Sequence, residues 1–102
     1  AALDKSMNVA SFSCGGINGD GGQIDIAAPG VEVYSSWIAP EMYKSISGTS
    51  MATPFVAGIA GLYWEANPAA TASDIWMFLT QNAKRLTLSA SDVGAGLVQA
   101  PQ

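Results

Sequence analysis

The sequence contains no histidine and only one cysteine, Cys14. A catalytic serine usually needs a histidine to take its proton, so the chain alone cannot carry a Ser-His-Asp triad. None of its lysines (Lys5, Lys44 and Lys84) lies in a motif that suggests a Ser–Lys dyad. The lone cysteine excludes a disulfide within the chain and leaves the redox compartment open.

Charge is also scarce. Only 12% of the residues are charged, with four basic and eight acidic side chains and a net charge of −4. Because Lys84-Arg85 is the only basic cluster, the sequence predicts no nucleic-acid surface. No basic segment followed by an apolar one opens the chain, so we identify no signal peptide and interpret its start as continuing from a longer sequence. A hydrophobic content of 49% over 102 residues favours a buried part of one domain over a disordered tail.

The stretch Ser47–Gly58 carries the strongest functional signal. It passes from a turn into an apolar helix, with Ser50 at the junction. The backbone N–H groups of a helix's first turn have no intrahelical partner, so they can bind negative charge that develops beside such a serine. Gly48 is expected to let the backbone turn without a steric penalty from a Cβ atom. Pro54 is expected to fall in the first turn of the helix, where its missing N–H costs no hydrogen bond. A purely structural alternative makes Ser50 a helix N-cap.

This stretch reads Ser-Gly-Thr-Ser-Met-Ala-Thr-Pro-Phe-Val-Ala-Gly and closely resembles the nucleophile segment of the subtilisin-like serine proteases, the subtilase family. Two upstream segments resemble the family in the same order: Ala10–Ser13, and Ile24–Val31 with its Ala-Pro-Gly turn. Val93–Val98 resembles the family's closing Gly-x-Gly-Leu turn, and Gln99–Gln102 should end the catalytic domain. We therefore interpret residues 1–102 as the C-terminal segment of a subtilase catalytic domain, incomplete on its own.

The resemblance implies an α/β fold, the C-terminal part of a three-layer sandwich with a mostly parallel sheet and helices on both faces. The alternation of apolar residues predicts short strands over Gln23–Ala27 and Val31–Ser35, after the end of a strand at Ala1–Asp4. Trp37–Lys44 is expected to form a loop with exposed aromatic residues. Such a loop could be a binding rim, although packing against its own domain is the commoner role.

Two helices are predicted after these strands. The first, from about Ser50 to Ala66, is apolar on nearly every face and is therefore expected to be buried in a large core. Its length of about 25 Å and its early proline argue against a membrane span. The second starts near Thr71, with Thr71-x-x-Asp74 as a capping box, and ends with the solvated pair Lys84-Arg85 near its negative pole. Its apolar stripe comprises Ile75, Phe78, Leu79 and Leu86.

The Gly-rich segment Cys14–Gly22 is faintly similar to a calcium loop that would start at Asn18, because Asn18 and Asp20 place oxygen atoms at alternate positions. An EF-hand loop requires a Glu at its twelfth position, and Pro29 stands there instead. We therefore predict a plain turn and no metal ligands. The resemblance allows calcium in a complete domain and implies no cofactor in this segment.

The family's site residues are carried over one by one. Ser50 would be the nucleophile, attack the scissile peptide carbonyl and form an acyl-enzyme, and its backbone N–H would be one oxyanion donor. Thr49 would support it, and Met51 would line the leaving-group side. The family's Asp, His and oxyanion Asn lie upstream of such a segment. Phe55 stands where the family often has a His outside the triad, which suggests a more apolar environment behind the nucleophile.

The resemblance thus implies a serine endopeptidase that acts on polypeptides once an upstream portion of the same domain completes it. Because the chain has no histidine to deprotonate Ser50, we predict that it hydrolyses no peptide bonds on its own. The expected partners are that upstream portion, a polypeptide substrate and, for the isolated chain, other copies of itself, with no nucleic acid and no membrane. The resemblance favours a secreted protein, although the family also has intracellular members. The alternatives are a non-catalytic pseudoprotease remnant or binding module and, more remotely, an unrelated small domain.

Overall fold

The computed structural model of the protein describes residues 1–16 and 22–102. The predicted turn that contains Asn18 and Asp20 lies outside these described residues. The elements in chain order are β1 (Ala2–Leu3), β2 (Ala28–Pro29), β3 (Val33–Ser36), β4 (Tyr43–Ile46), α1 (Thr49–Ala66), α2 (Ala72–Gln81) and α3 (Ala90–Val93). β1 pairs with β2 in parallel, and β3 pairs with β4 in an antiparallel hairpin.

The strand predicted over Gln23–Ala27 is wrong in its extent. The alternation of half-buried and exposed side chains is present at residues 23–26, yet no strand pairs with these residues within the described chain. Parallel pairing begins only at Ala27, which bridges Leu97, and continues as β2 against β1. Alternation reports which side chains face the core, whereas a ladder also requires a second strand alongside.

The β3–β4 hairpin also differs from the prediction. β3 begins later than the predicted strand Val31–Ser35, because Glu32 adopts a left-handed backbone conformation with φ of 52°. The predicted loop Trp37–Lys44 is wrong at its end, since Tyr43 already belongs to β4. The hairpin stacks two tyrosine rings, Tyr34 and Tyr43, with their centroids 5.7 Å apart. Aromatic residues diagonal to one another on neighbouring strands are within reach of such a contact.

The first predicted helix is confirmed as α1, but its expected burial is not. Ala52 and Tyr63 are its buried residues, and the other described elements, β1, β2 and α2, cover only part of its surface. Three large apolar side chains of α1 stay between 41% and 47% exposed: Phe55, Leu62 and Trp64. The correction has a simple physical reason, because two short strands and one helix cannot surround a helix that is apolar all round.

The second helix begins as predicted. Thr71 accepts a hydrogen bond from the Asp74 backbone N–H at 3.2 Å, and the Asp74 carboxylate accepts one from the Thr71 backbone N–H at 2.9 Å. Hydrogen bonds to the Asp74 carboxylate from the Thr71 backbone and, to a smaller extent, from the Thr71 side chain hold the pKa of Asp74 below its ordinary value. Because the folded pKa is lowered, this contribution to stability is present above the ordinary carboxylate pKa and is lost as the pH falls through the folded value.

The end of this helix is placed wrongly by the sequence. α2 stops at Gln81, so Leu86 and the pair Lys84-Arg85 lie beyond it and do not reach its negative pole. Lys84 instead forms two backbone hydrogen bonds with Leu97, of 2.7 and 2.9 Å. That pairing holds the chain after α2 against the closing segment. The backbone groups of Lys84 are therefore committed to Leu97 and are not free for a further helical turn.

The closing segment contains a short helix, α3, that the sequence analysis did not predict. Gly94 and Gly96 follow it with positive φ angles of 61° and 120°. A Cβ at Gly94 would collide with the backbone of Asp25, and one at Gly96 with the carbonyl of Lys84. The glycines of the Gly-x-Gly-Leu motif therefore have a backbone role, because they let this segment closely approach two other segments of the chain, at Asp25 and at Lys84.

The core is small and rich in alanine. Of the hydrophobic residues that are buried within residues 1–16 and 22–102, half are alanines: Ala2, Ala10, Ala27, Ala28 and Ala52. The others are Leu3, Tyr63, Ile75, Val93 and Val98. Tyr63 joins α1 to its neighbours, because its hydroxyl donates to the Gln99 carbonyl at 3.0 Å and its ring stacks on Phe78. No helix within residues 1–16 and 22–102 combines the length and hydropathy that a membrane span requires.

Candidate active site

The turn between β4 and α1 is held against the segment that follows β2. The Gly48 backbone N–H donates to the Gly30 carbonyl at 2.8 Å, and the Glu32 backbone N–H donates to the Ser47 hydroxyl oxygen at 2.8 Å. Gly30 is fully packed: a Cβ there would lie 2.6 Å from the Ala2 Cβ and 2.8 Å from the Gly48 carbonyl oxygen. Only glycine therefore lets the turn approach the β1–β2 pair so closely.

Gly48 itself does not have the role that the sequence suggested. Its φ of 164° is extended backbone, which any residue adopts, so no left-handed turn requires a glycine here. A Cβ at this position would lie 3.3 Å from the Met51 sulfur, a close but local contact. The position of this turn depends instead on the two hydrogen bonds that Gly48 and Ser47 make.

Ser50 lies inside α1, so the N-cap interpretation of this residue is wrong. The N-cap is Gly48, and no side chain caps this helix end. Ser50 is the second helical residue and is exposed. Its hydroxyl and its backbone N–H make no hydrogen bond within the described residues, whereas the Met51 N–H donates to the Gly48 carbonyl at 3.0 Å. An exposed hydroxyl beside an unpaired N–H at the positive end of a helix suits both nucleophilic attack and anion binding.

Pro54 also departs from the sequence expectation. It is the sixth residue of α1 and lies inside the helix rather than in its first turn. A proline there has no N–H to donate to the carbonyl four residues earlier, and that carbonyl belongs to Ser50. The Thr53 hydroxyl does not replace this bond, because it donates to the Thr49 carbonyl, at 3.1 Å, and not to that of Ser50. The backbone around Ser50 is therefore less tightly hydrogen-bonded than an ordinary helix start.

The side chains of Ser50 and Met51 line one cavity, whereas that of Thr49 lines another. Ser50 and Met51 line one groove of about 400 Å³, bounded on its other side by the strand β3. Thr49 faces a different cavity, of about 380 Å³, which it shares with Ala52 and Ile26. Ser50 and Met51 thus share one groove, and Thr49 lies on the other side of the helix start, where its predicted supporting role stays a prediction.

Two residues of this groove were missed or only partly recognised by sequence reasoning. The sequence gives Tyr34 a strand position and no site role, whereas in the structure Tyr34 lines the groove together with the start of α1. Phe55, which departs from the family pattern, lines the groove as well. Another cavity, of about 470 Å³ beside Asp25 and Trp76, contains none of the predicted site residues.

No metal centre is evident in the part of the chain that the structure describes. Among residues 1–16 and 22–102, no three Cys, Asp or Glu side chains gather closely enough to hold a metal ion. Cys14 is a free, exposed thiol.

These features define an α/β protein that presents a serine near the N-terminus of a central helix, beside an apolar groove. Comparison with known proteins agrees, because the family model described as "Subtilase family" matches residues 1–97. The chain belongs to the subtilase family, which confirms the resemblance that its motifs carried.

Relatives with known names support this assignment. The chain is 41% identical over 100 residues to halolysin of Haloferax mediterranei, covering 98% of this chain and 18% of that protein. It is 38% identical over 100 residues to thermitase of Thermoactinomyces vulgaris, covering 98% of this chain and 33% of thermitase. The chain thus spans only about a fifth to a third of the length of these curated relatives.

Solved structures show the same fold. Sphericase superposes with a TM-score of 0.86 at 32% identity, over 99% of this chain and 39% of sphericase. The S41 psychrophilic protease superposes with a TM-score of 0.85 at 33% identity and the same coverage. The predicted fold class, an α/β part of a subtilisin-like fold, is therefore confirmed.

Proposed function

We propose that this chain is the nucleophile-bearing, C-terminal part of a subtilisin-like serine endopeptidase. The observation that carries the proposal is Ser50: an exposed hydroxyl with an unpaired backbone N–H, in the second position of α1 and on the wall of an open groove. The family membership and the names of the relatives, among them a thermostable alkaline protease, support the same activity.

In this mechanism the Ser50 hydroxyl oxygen attacks the carbonyl carbon of the scissile peptide bond while a histidine base takes its proton. The carbonyl oxygen becomes an oxyanion, and the Ser50 backbone N–H at the start of α1 donates to it. The C–N bond then breaks, the histidine returns the proton to the leaving amine, and an acyl-Ser50 ester remains. Water hydrolyses this ester and restores the hydroxyl.

The chain has no histidine, so the base must come from outside it. We propose that an upstream portion of the same catalytic domain supplies the His, the Asp that orients it and the Asn that completes the oxyanion site. The exposed apolar residues of α1 give this portion a surface to cover. Calcium in the complete domain and an extracellular location are part of the same proposal and rest on the family alone.

A non-catalytic binding module is the second candidate, favoured by one observation. Phe55 stands where the family often has a His outside the triad. The two candidates differ in one experiment. A complete protein that hydrolyses peptides and loses this activity on Ser50→Ala is an enzyme, whereas a complete protein that only binds peptides is a module.

Met51 provides a test of the site's geometry. Oxidation converts its thioether to a polar sulfoxide, and Met51 lines the same groove as Ser50. In the complete enzyme we expect peroxide to lower peptide hydrolysis several-fold and Met51→Ala to remove most of this sensitivity. The measurement is residual activity after timed peroxide exposure, with Met77→Ala, an exposed methionine of α2, as the control. Equal loss in the wild type and in Met51→Ala would remove Met51 from the site.

A further inference from the structure

The antiparallel pairing of β3 with β4 ends just before the turn that leads to Ser50. Its last pair is Val33 with Ile46, so the ladder, continued by one residue, would pair Glu32 with Ser47. Instead, Glu32 takes a left-handed conformation with φ of 52°, and its backbone N–H donates to the Ser47 hydroxyl oxygen at 2.8 Å. A side-chain hydroxyl thus provides the hydrogen bond at the point where the two strands separate.

The left-handed conformation of Glu32 needs such a bond more than ordinary backbone does. A residue with a Cβ atom is sterically disfavoured at this φ, whereas glycine adopts it readily. Glu32 is also exposed, so its side chain is not held in place by burial within the described residues. The hydrogen bond to Ser47 therefore opposes the relaxation of Glu32 towards an extended conformation.

Ser47 lies three residues before Ser50, and the backbone between them is held at few points. The Gly48 N–H donates to the Gly30 carbonyl at 2.8 Å, and the Gly48 carbonyl accepts from the Met51 N–H at 3.0 Å. No side chain caps this end of α1. The bonds of Ser47 and Gly48 therefore tie the start of α1 to the segment after β2, and loss of one would let the turn pivot about the other.

We propose that Ser47 is a positioning residue for catalysis, whose hydroxyl holds the start of α1 where the hydroxyl and backbone N–H of Ser50 meet the scissile carbonyl. The inference rests on the proposed function, since it requires Ser50 to be the nucleophile. Ser47 acts through the backbone and contributes no atom to the reaction. Because a displacement of about 1 Å can cost a reaction about 100-fold in rate, even a small pivot of this turn lowers turnover.

The test measures kcat and KM of the complete catalytic domain on a quenched peptide, at a temperature where circular dichroism shows each variant to be folded. Ser47→Ala removes the hydrogen-bond acceptor and should lower kcat about 10-fold, with KM within about 2-fold of the wild-type value. Ser47→Thr keeps the hydroxyl and should retain kcat to within about 2-fold. The matched control is Ser45→Ala, because Ser45 is an exposed serine of the same strand that lies opposite Tyr34 instead of Glu32. It should keep the wild-type kcat.

Glu32→Gly provides a second-site rescue that follows from this route. Glycine adopts the left-handed conformation without help from a hydrogen bond, so Glu32→Gly combined with Ser47→Ala should recover kcat to within about 3-fold of the wild type. Glu32→Gly alone should change kcat by no more than about 2-fold. A kcat that stays as low in the double variant as in Ser47→Ala would contradict the proposal, because Ser47 would then not act through the conformation of Glu32.

Wild-type kcat in a folded Ser47→Ala enzyme would overturn the proposal. A raised KM with unchanged kcat would overturn it too, since Ser47 would then affect substrate binding and not the nucleophile. If Ser47→Ala does not fold, Ser47→Cys replaces it, because a thiol is a weaker acceptor than a hydroxyl. We then expect kcat to be about 3-fold lower, and a wild-type value would contradict the proposal. Absence of any Ser50-dependent turnover by the wild-type domain would instead show that the proposed function fails, and this inference with it.

Discussion

Replacing Ser50 by alanine in the complete catalytic domain is expected to lower kcat by about a million-fold, or about 8 kcal/mol of transition-state stabilisation. The alanine removes the only atom that can form the acyl-enzyme and leaves the oxyanion donors and the groove in place. Substrate binding should therefore change little, and KM should stay within a few-fold of the wild-type value. The measurement is single-turnover and steady-state hydrolysis of a quenched peptide.

Ser73→Ala is the matched control for this experiment. Ser73 is an exposed serine at the second position of α2, as Ser50 is at the second position of α1. The two serines share their helix position and differ in whether they line a groove with Met51. We expect Ser73→Ala to retain full activity. Comparable activity of Ser50→Ala and Ser73→Ala would remove Ser50 from the nucleophile role.

The isolated 102-residue chain is expected not to unfold cooperatively as a monomer. Leu3 and Val93 are the largest side chains that are completely buried within the described residues, and alanines make up half of the buried apolar set. Meanwhile many large apolar residues remain exposed: Phe12, Tyr34, Trp37, Ile38, Met42, Tyr43, Phe55, Leu62, Trp64, Trp76 and Met77. Burying one such side chain would contribute about 1.5–3 kcal/mol, so several of them equal the usual stability of a whole domain.

Two observables test this expectation. Analytical ultracentrifugation should show self-association of the isolated chain, driven by the exposed faces of α1 and by unpaired strand edges. Calorimetry under dilute conditions should show no cooperative transition for the monomeric species. Addition of the upstream portion of the domain should restore a cooperative transition. A sharp melt from a strictly monomeric chain would show that the buried alanine-rich clusters suffice, contrary to this account.

Local sequence signals located the main helices well. The helix over Ser50–Ala66 was found to within one residue, and the Thr71–Asp74 capping box is present with both of its hydrogen bonds. Both signals act within a few residues of the chain, so the sequence contains all the information that they need. The motif that contains Ser50 likewise identified the family without any knowledge of the fold.

The features that the sequence could not supply depend on contacts between distant segments. The end of α2 at Gln81 follows from the pairing of Lys84 with Leu97, which are far apart in sequence. The groove wall formed by Tyr34 depends on the position of the hairpin against α1, which no pattern within β3 reveals. The position of Pro54, in contrast, follows from local counting, because the carbonyl four residues before it belongs to Ser50 whether the helix begins at Thr49 or at Ser50.

The central claim is that Ser50 is a nucleophile that becomes reactive only when an external histidine completes the site. The most direct measurement is labelling by a serine-directed fluorophosphonate, followed by mass spectrometry that locates the adduct. In the complete domain we expect one adduct, on Ser50, and no adduct after Ser50→Ala; the isolated chain, which has no histidine, should remain unlabelled over the same time. An adduct on a different serine of the complete domain, or labelling of Ser50 in the isolated chain at the same rate, would contradict the account.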